Sequence, residues 1–145
     1  MAKVIAVNIS EKKGVIKHPI EKGFFKKEHG LEGDAHVGNW HRQVSLLGQE
    51  SIDKMKKLGL DKLSTGDFAE NITTEGIVLY KLPVGTKLKV GETEMEVTQI
   101  GKKCHKGCEI QKLVGDCIMP REGIFAIVLK DGYIKSGDEI KIIED

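Results

Sequence analysis

The sequence predicts a mostly-β domain with a barrel-like sheet under one or two short covering helices. Three observations predict it. Short segments rich in Val, Ile and Thr recur from end to end, 17 glycines punctuate them, and only one long helical pattern occurs. Strands that are not separated by regular helices argue against βαβ layering and for a sheet that curls on itself.

The first strand is Lys3–Ile9, a run too short to serve as the apolar stretch of a signal peptide. Gln43–Leu47 follows. Directly after it, Gln49–Leu58 reads as a helix, because Ile52, Met55 and Leu58 recur at three-residue steps while Lys54, Lys56 and Lys57 fall mostly elsewhere. Gly59 suits its C-terminal end, and a shorter helix is expected at Leu60–Leu63. The remaining strands are Asn71–Thr73, Thr86–Val90, Glu94–Ile100, Ile124–Leu129 and Glu139–Ile143. In Glu94–Ile100 apolar and polar residues alternate, the mark of a half-buried strand. Gly91-Glu92 and Asp131-Gly132 supply turn chemistry between neighbouring strands.

A chain of 145 residues without repeat, linker or low-complexity segment reads as one domain spanning 1–145. Its 39% hydrophobic and 31% charged residues are an ordinary globular balance. The formal net charge of +1 provides no global field for nucleic acid or a membrane surface, so any charge-based recognition must be local. No apolar run reaches the length of a membrane span. Three cysteines leave at least one unpaired, and the expected compartment is the reducing cytoplasm, where thiols bind metals or react more often than they cross-link.

The densest chemistry is Lys102-Lys103-Cys104-His105-Lys106-Gly107-Cys108. Positive charge around Cys104 favours the thiolate, a better nucleophile and a better metal ligand than the thiol. The plain alternative is that lysines flank a solvated loop. Cys104, His105, Cys108 and Cys117 together would also make a four-ligand structural zinc or iron–sulfur site, although adjacent Cys and His tend to point apart.

Gly33–Arg42 gathers Asp34, His36, Trp40, His41 and Arg42 in ten residues. Arg42 would meet a phosphate in bidentate fashion while Asp34 orients His36; the alternative is a polar hairpin with Trp40 packed on the sheet. In Gly66-Asp67-Phe68-Ala69-Glu70-Asn71, the Asn71 amide would hydrogen-bond a heterocycle edge, or the segment is a turn with Phe68 and Ile72 in the core. Arg121, beside the strand Ile124–Leu129, contacts an anion or pairs with Glu122 or another carboxylate.

The segments Gly33-Asp34-x-His36, His41-Arg42-Gln43-Val44-Ser45-Leu46-Leu47, Gly66-Asp67-Phe68-x-Glu70-Asn71, Val84-Gly85-x-x-Leu88-x-Val90-Gly91 and Val97-Thr98-Gln99-x-x-x-x-Cys104, in that order, resemble the MOSC domain. That name denotes the C-terminal domain of molybdenum cofactor sulfurase. The resemblance spans nearly the whole chain and implies a stand-alone bacterial MOSC protein with a barrel-like fold. It implies that Cys104 is the reactive cysteine, acting as molybdenum ligand or sulfur carrier. It also implies a molybdenum cofactor (molybdopterin) met by Asp34, His36, Arg42, Asn71, Lys103 and Arg121. Lys102 would join the basic residues that face the pterin phosphate.

The stretch from Cys104 through Phe125 resembles members fused to, or encoded near, enzymes that build this cofactor, which implies cofactor maturation with those enzymes as partners. The alternatives are a molybdenum-dependent reductase of N-hydroxylated compounds, with His36 or His105 as proton donor, and a structural zinc module. The sulfurase domain that carries pyridoxal phosphate has no counterpart in this sequence, so that cofactor is a family-level association only.

Overall fold

In the structure, a computed structural model, residues 2–12, 16–35, 37–57, 65–66, 68–101 and 122–143 are described. Eleven strands and one α-helix are found among them. In chain order the strands are β1 (Lys3–Ile9), β2 (His18–Ile20), β3 (Lys22–Lys26), β4 (Gly30–Leu31), β5 (Val44–Gly48), β6 (Ile72–Glu75), β7 (Lys87–Val90), β8 (Thr93–Ile100), β9 (Ile124–Lys130), β10 (Gly132–Lys135) and β11 (Ile140–Ile143); the helix α1 is Gln49–Lys57.

The strands form two sheets, an eight-stranded one ordered β11-β7-β8-β9-β5-β6-β1-β2 and a three-stranded one ordered β10-β3-β4. The mostly-β expectation therefore holds, but the described residues form no closed barrel. The large sheet does bend its ends toward one another. A single bridge joins Lys3 to Glu139, flanked by bonds from Val4 N to Asp138 O (2.7 Å) and from Ile140 N to Ala2 O (3.0 Å). Closure stops there, because β1 also carries β2 as an outer neighbour and so offers β11 only its first residues.

Helix α1 covers the sheet with Ser51, Ile52 and Met55 buried, the apolar stripe that the three-residue spacing calls for. It connects β5 to β6, which are parallel, so one βαβ crossover is present where none was expected. Leu58, Gly59 and the segment Leu60–Leu63, expected to extend and follow this helix, lie outside the described residues. No described helix is long and apolar enough to cross a membrane.

Between the sheets lies a core that both supply. Val7, Leu46, Ile72, Leu88, Met95, Val97 and Ile124 come from the large sheet, and Phe25, Leu31 and Ile134 from the small one. Gly23 of β3 suits this approach, since a Cβ there would sit 2.5 Å from Leu31 Cδ1 of its own sheet and 3.2 Å from Val7 Cγ1 of the large one. The Gly91-Glu92 turn links β7 to β8 in a two-residue hairpin, with Val90 opposite Thr93. Asp131 and Gly132 do not close a hairpin within one sheet. They pass the chain from β9 in the large sheet to β10 in the small one.

Leu46 is fully buried and stands opposite Ile72 on one side and Ile124 on the other. Leu46→Ala is expected to cost about 2–5 kcal/mol of unfolding free energy, because the rigid neighbours of a central strand cannot collapse into the cavity. Urea unfolding followed by circular dichroism measures it.

Candidate functional site

Strand β8 pairs regularly with β9 from Met95 opposite Val128 to Val97 opposite Ala126, and the next pair is Gln99 opposite Phe125. Thr98 is thus an extra residue, a β-bulge that breaks the alternation and re-aims the end of the strand. Met95 and Val97 are buried, whereas Gln99, in phase with them by simple alternation, is only half-buried, and Ile100 is 40% exposed. The Thr98 hydroxyl sits between two carbonyls, those of His41 and Phe125, and bonds to both.

The bulge places Gln99 at the centre of a polar cluster. Its Oε1 accepts from His41 Nε2 (2.9 Å) and from Arg42 Nε (3.1 Å), while its Nε2 donates to Gly101 O (2.7 Å). The Arg42 guanidinium lies 5.4 Å from the Phe125 ring centroid and 5.8 Å from that of Trp40, within cation–π range of both. The Trp40 and His41 rings meet edge to face at 5.8 Å. Arg42 is held by its Nε and its flat faces, and His41 is exposed beside it. An arginine fixed in this way presents a planar fork matched to phosphate or carboxylate oxygens.

Gly101 is the last described residue before the cysteine segment, and its N–H bonds Gly123 O (2.7 Å) across the start of β9. Cys104, His36, Lys103 and Arg121 lie outside the described residues, as do Lys102, His105, Cys108 and Cys117. Of the expected site residues that are described, Arg42 belongs to the cluster, whereas Asp34 and Asn71 are turned inward.

Asp34 Oδ1 accepts from Lys17 Nζ at 2.8 Å and from Ser10 N at 3.1 Å, and both charged side chains are almost wholly buried. Lys17 Nζ also donates to Ser10 Oγ (3.0 Å). Asn71 is 1% exposed; its Oδ1 accepts from Ser45 N and Ser45 Oγ, and its Nδ2 donates to Asn8 O. These bonds tie the loop before β6 to β5 and β1. Phe68 and Ile72 are in the core, as the turn reading of this segment has it.

Glu70 is fully buried beside them. Its carboxyl accepts from Gly66 N (2.9 Å), Phe68 N (3.2 Å) and Thr73 Oγ1 (2.7 Å), yet burial outweighs these bonds and pushes its pKa up to about 7. Ala69 just before it holds φ at +64°, a left-handed conformation uncommon for a residue with a Cβ.

Thr98, Gln99, His41 and Phe125 form the cluster with Arg42 without having been singled out as site residues. The available signal was the pair Thr98-Gln99, where two polar residues in succession interrupt the alternation of the strand.

The model of the MOSC domain matches residues 33–141, from the Asp34 loop to the last strand. The chain belongs to the MOSC domain family. MOSC domains are linked to the molybdenum cofactor. Solved structures similar to this MOSC chain include the YuaD protein of Bacillus subtilis, with TM-score 0.75, 20% identity, and coverage of 98% of this chain and 96% of that one. YiiM of Geobacillus stearothermophilus follows at TM-score 0.74 and 16% identity, covering 99% and 76%, and YiiM of Escherichia coli at 0.71 and 16%, covering 100% and 71%. At these identities the likeness is one of fold.

A curated relative, ketol-acid reductoisomerase (NADP(+)) of Methanosphaera stadtmanae, is 29% identical over 103 residues, which are 70% of this chain and 30% of that protein. The MOSC chain thus spans less than a third of that relative's length.

The donor set fits the anionic part of the cofactor. Arg42 offers the N–H groups at the end of its guanidinium, and Trp40 offers an exposed aromatic face. Among the described residues, no group of three or more His, Cys, Asp or Glu is placed to hold a metal ion.

Two outcomes follow for the buried charges. The folded pKa of Glu70 near 7 lies above its ordinary 4.5, so between those values the native state keeps a proton that the unfolded chain has released. Stability should therefore fall as pH rises from about 4.5 to about 7 and level off above, by on the order of 3 kcal/mol, with Glu70→Gln removing that slope in urea titrations. Lys17→Met leaves the Asp34 carboxylate buried without its cation and should cost about 3–5 kcal/mol, whereas Lys17→Met with Asp34→Leu should recover most of it in the same assay.

Proposed function

We propose that this MOSC protein binds the molybdenum cofactor, with the Cys104 thiolate as metal ligand or sulfur carrier, and acts in maturation of that cofactor. One observation supports this reading above the others. Strand β8 ends beside Arg42, His41 and Trp40, and its chain passes directly from Gly101 toward Cys104. Three residues reach no more than about 11 Å even when fully extended. A cation held on Gln99 and a thiol a few residues further along are the two chemistries this cofactor asks for, one for its phosphate and one for its metal.

In this reading Arg42 grips the phosphate, His41 helps to hold the Gln99 amide that fixes it, and the rings of Trp40 and Phe125 keep the guanidinium in place. Lys102, Lys103 and Lys106 add positive charge in the sequence around Cys104 and favour its thiolate, and Arg121 and His36 are further donors to the cofactor. Asp34 and Asn71 contribute by fixing the loops that precede β5 and β6 and not by touching the ligand. When bound, the cofactor supplies a metal that accepts sulfur ligands and changes oxidation state. Enzymes of cofactor biosynthesis are the expected partners, in the cytoplasm.

The test is retention of molybdopterin by purified protein, read by mass spectrometry together with elemental analysis for molybdenum. Cys104→Ser is expected to abolish retention, with Cys108→Ser weakening it less. Arg42→Ala is expected to weaken retention by about ten- to a hundred-fold, the worth of a charge-assisted phosphate contact. Equal retention by the Cys104→Ser protein, or stoichiometric zinc with no molybdenum in the wild type, would overturn the proposal.

A further inference from the structure

Strand β8 has two ends, and the one opposite the Arg42 cluster, at the Gly91-Glu92 turn, opens on a cavity of about 410 Å³. Eight residues of strand separate the two places by roughly 20 Å. Four lysines line the cavity: Lys22, Lys89, Lys135 and Lys141. They come as two cross-strand pairs. Lys141 of β11 stands directly opposite Lys89 of β7, and Lys135 of β10 directly opposite Lys22 of β3.

Like charges directly opposite on a sheet repel and destabilise it. Lysines on edge strands have a separate use, since they block pairing with other chains, and β11 and β10 are edges. That use does not extend to Lys89, which is paired on both sides, with Lys141 and with Glu94; Lys22 pairs with Lys135 alone, since β4 reaches β3 only at Phe25 and Lys26. Two repelling pairs from two different sheets thus converge on one concavity.

The carboxylates in the cavity wall are engaged within it, and one of them neutralises Lys141. Glu92 Oε1 accepts from Tyr133 N (3.0 Å) and Asp138 Oδ2 from Lys135 N (2.9 Å), while Glu139 pairs with Lys141 at 3.1 Å. Among the described residues Lys89 and Lys135 make no ion pair. The wall itself is set by close backbone approach, since a Cβ on Gly132 would lie 2.9 Å from the Glu92 backbone and one on Gly91 2.6 Å from Asp138 Oδ2. Tyr133 is fixed in the wall by Phe24 at its edge (5.0 Å) and Lys22 over its ring (4.8 Å).

We propose that this cavity binds a small polyphosphate anion, whose linked phosphates bridge the Lys89–Lys141 pair and the Lys22–Lys135 pair. Two separate cation pairs call for a ligand with at least two anionic groups. A concave site of this volume suits a compact ligand better than a flat polymer surface.

The probe is inorganic tripolyphosphate, titrated calorimetrically into the full chain. One anion per chain is expected. Lys89→Gln with Lys135→Gln, both exposed positions, should weaken binding at least about ten-fold with an unchanged circular dichroism spectrum. Lys89→Arg with Lys135→Arg should retain affinity within about three-fold, since the charges are kept. Cys104→Ser should leave the binding unchanged, which separates this site from the cofactor proposal. Unaltered affinity in the double Gln protein would overturn the inference, as would the absence of saturable binding to the wild type. Self-association of the double Gln protein alongside a non-binding wild type would assign the lysines to edge protection instead.

Discussion

The bulge at Thr98 is the constraint on which the arrangement of the candidate site depends. Up to Val97 the strand is an ordinary half-buried one, with Met95 and Val97 closing the core. One inserted residue ends that regime and turns Gln99 toward the chain that enters β5. Were the alternation to continue, Gln99 would be drawn inward behind Met95 and Val97 and would lose the geometry that lets it accept from His41 and Arg42 together. The bulge is secured from both sides, since the Thr98 hydroxyl bonds a carbonyl from the Trp40–Arg42 loop and another from β9. The irregularity is thus part of the site's construction.

A second layer of polar residues lies inside the protein and serves a different purpose. Asn8, Ser45, Glu70, Asn71 and Thr73 bond to one another and to the backbone across β1, β5 and β6, with Asn8 Oδ1 left over, and Lys17 with Asp34 ties the loops after β1 and β4. Buried polar groups are costly unless bonded, so each such tie admits few alternative loop conformations. Two of these side chains, Asp34 and Asn71, sit in motifs that look chemical in sequence. Their effect on Arg42 and on the chain around β6 is to fix where the backbone runs.

Much of the large sheet was legible because its strands alternate or carry β-branched runs, as β1, β8 and β9 do. Helix α1 was legible from Ile52 and Met55. The strands β2, β3, β4 and β10 were not. They are short, contain Gly23, Pro19 and several lysines, and owe their strand character to pairing with distant partners, such as Phe25 opposite Gly132 and Leu31. Local propensity carries no signal of that kind. In the site, Arg42 was legible as a cation in a loop dense with functional groups. Its partner Gln99, 57 positions away, was not, because the bulge that aims it depends on register with β9. The inward turn of Asp34 was hidden for a related reason, as Lys17 looks like any surface lysine until the fold buries it.

A formal charge of +1 conceals how unevenly the charges are used. Lys17 is neutralised within the protein by Asp34, and Lys54 is bound by both oxygens of Glu122. Neither contributes to recognition outside. The two ends of β8 differ in kind: a single guanidinium clamped by an amide and two rings at one end, and four ammonium groups around a glycine-tightened turn at the other, one of them paired with Glu139 and one over the Tyr133 ring. A guanidinium fixed in orientation selects by geometry, while ammonium groups act as point charges and tolerate different shapes. One strand therefore carries at its ends two anion-attracting surfaces with opposite recognition strategies, and a ligand suited to one has little reason to prefer the other.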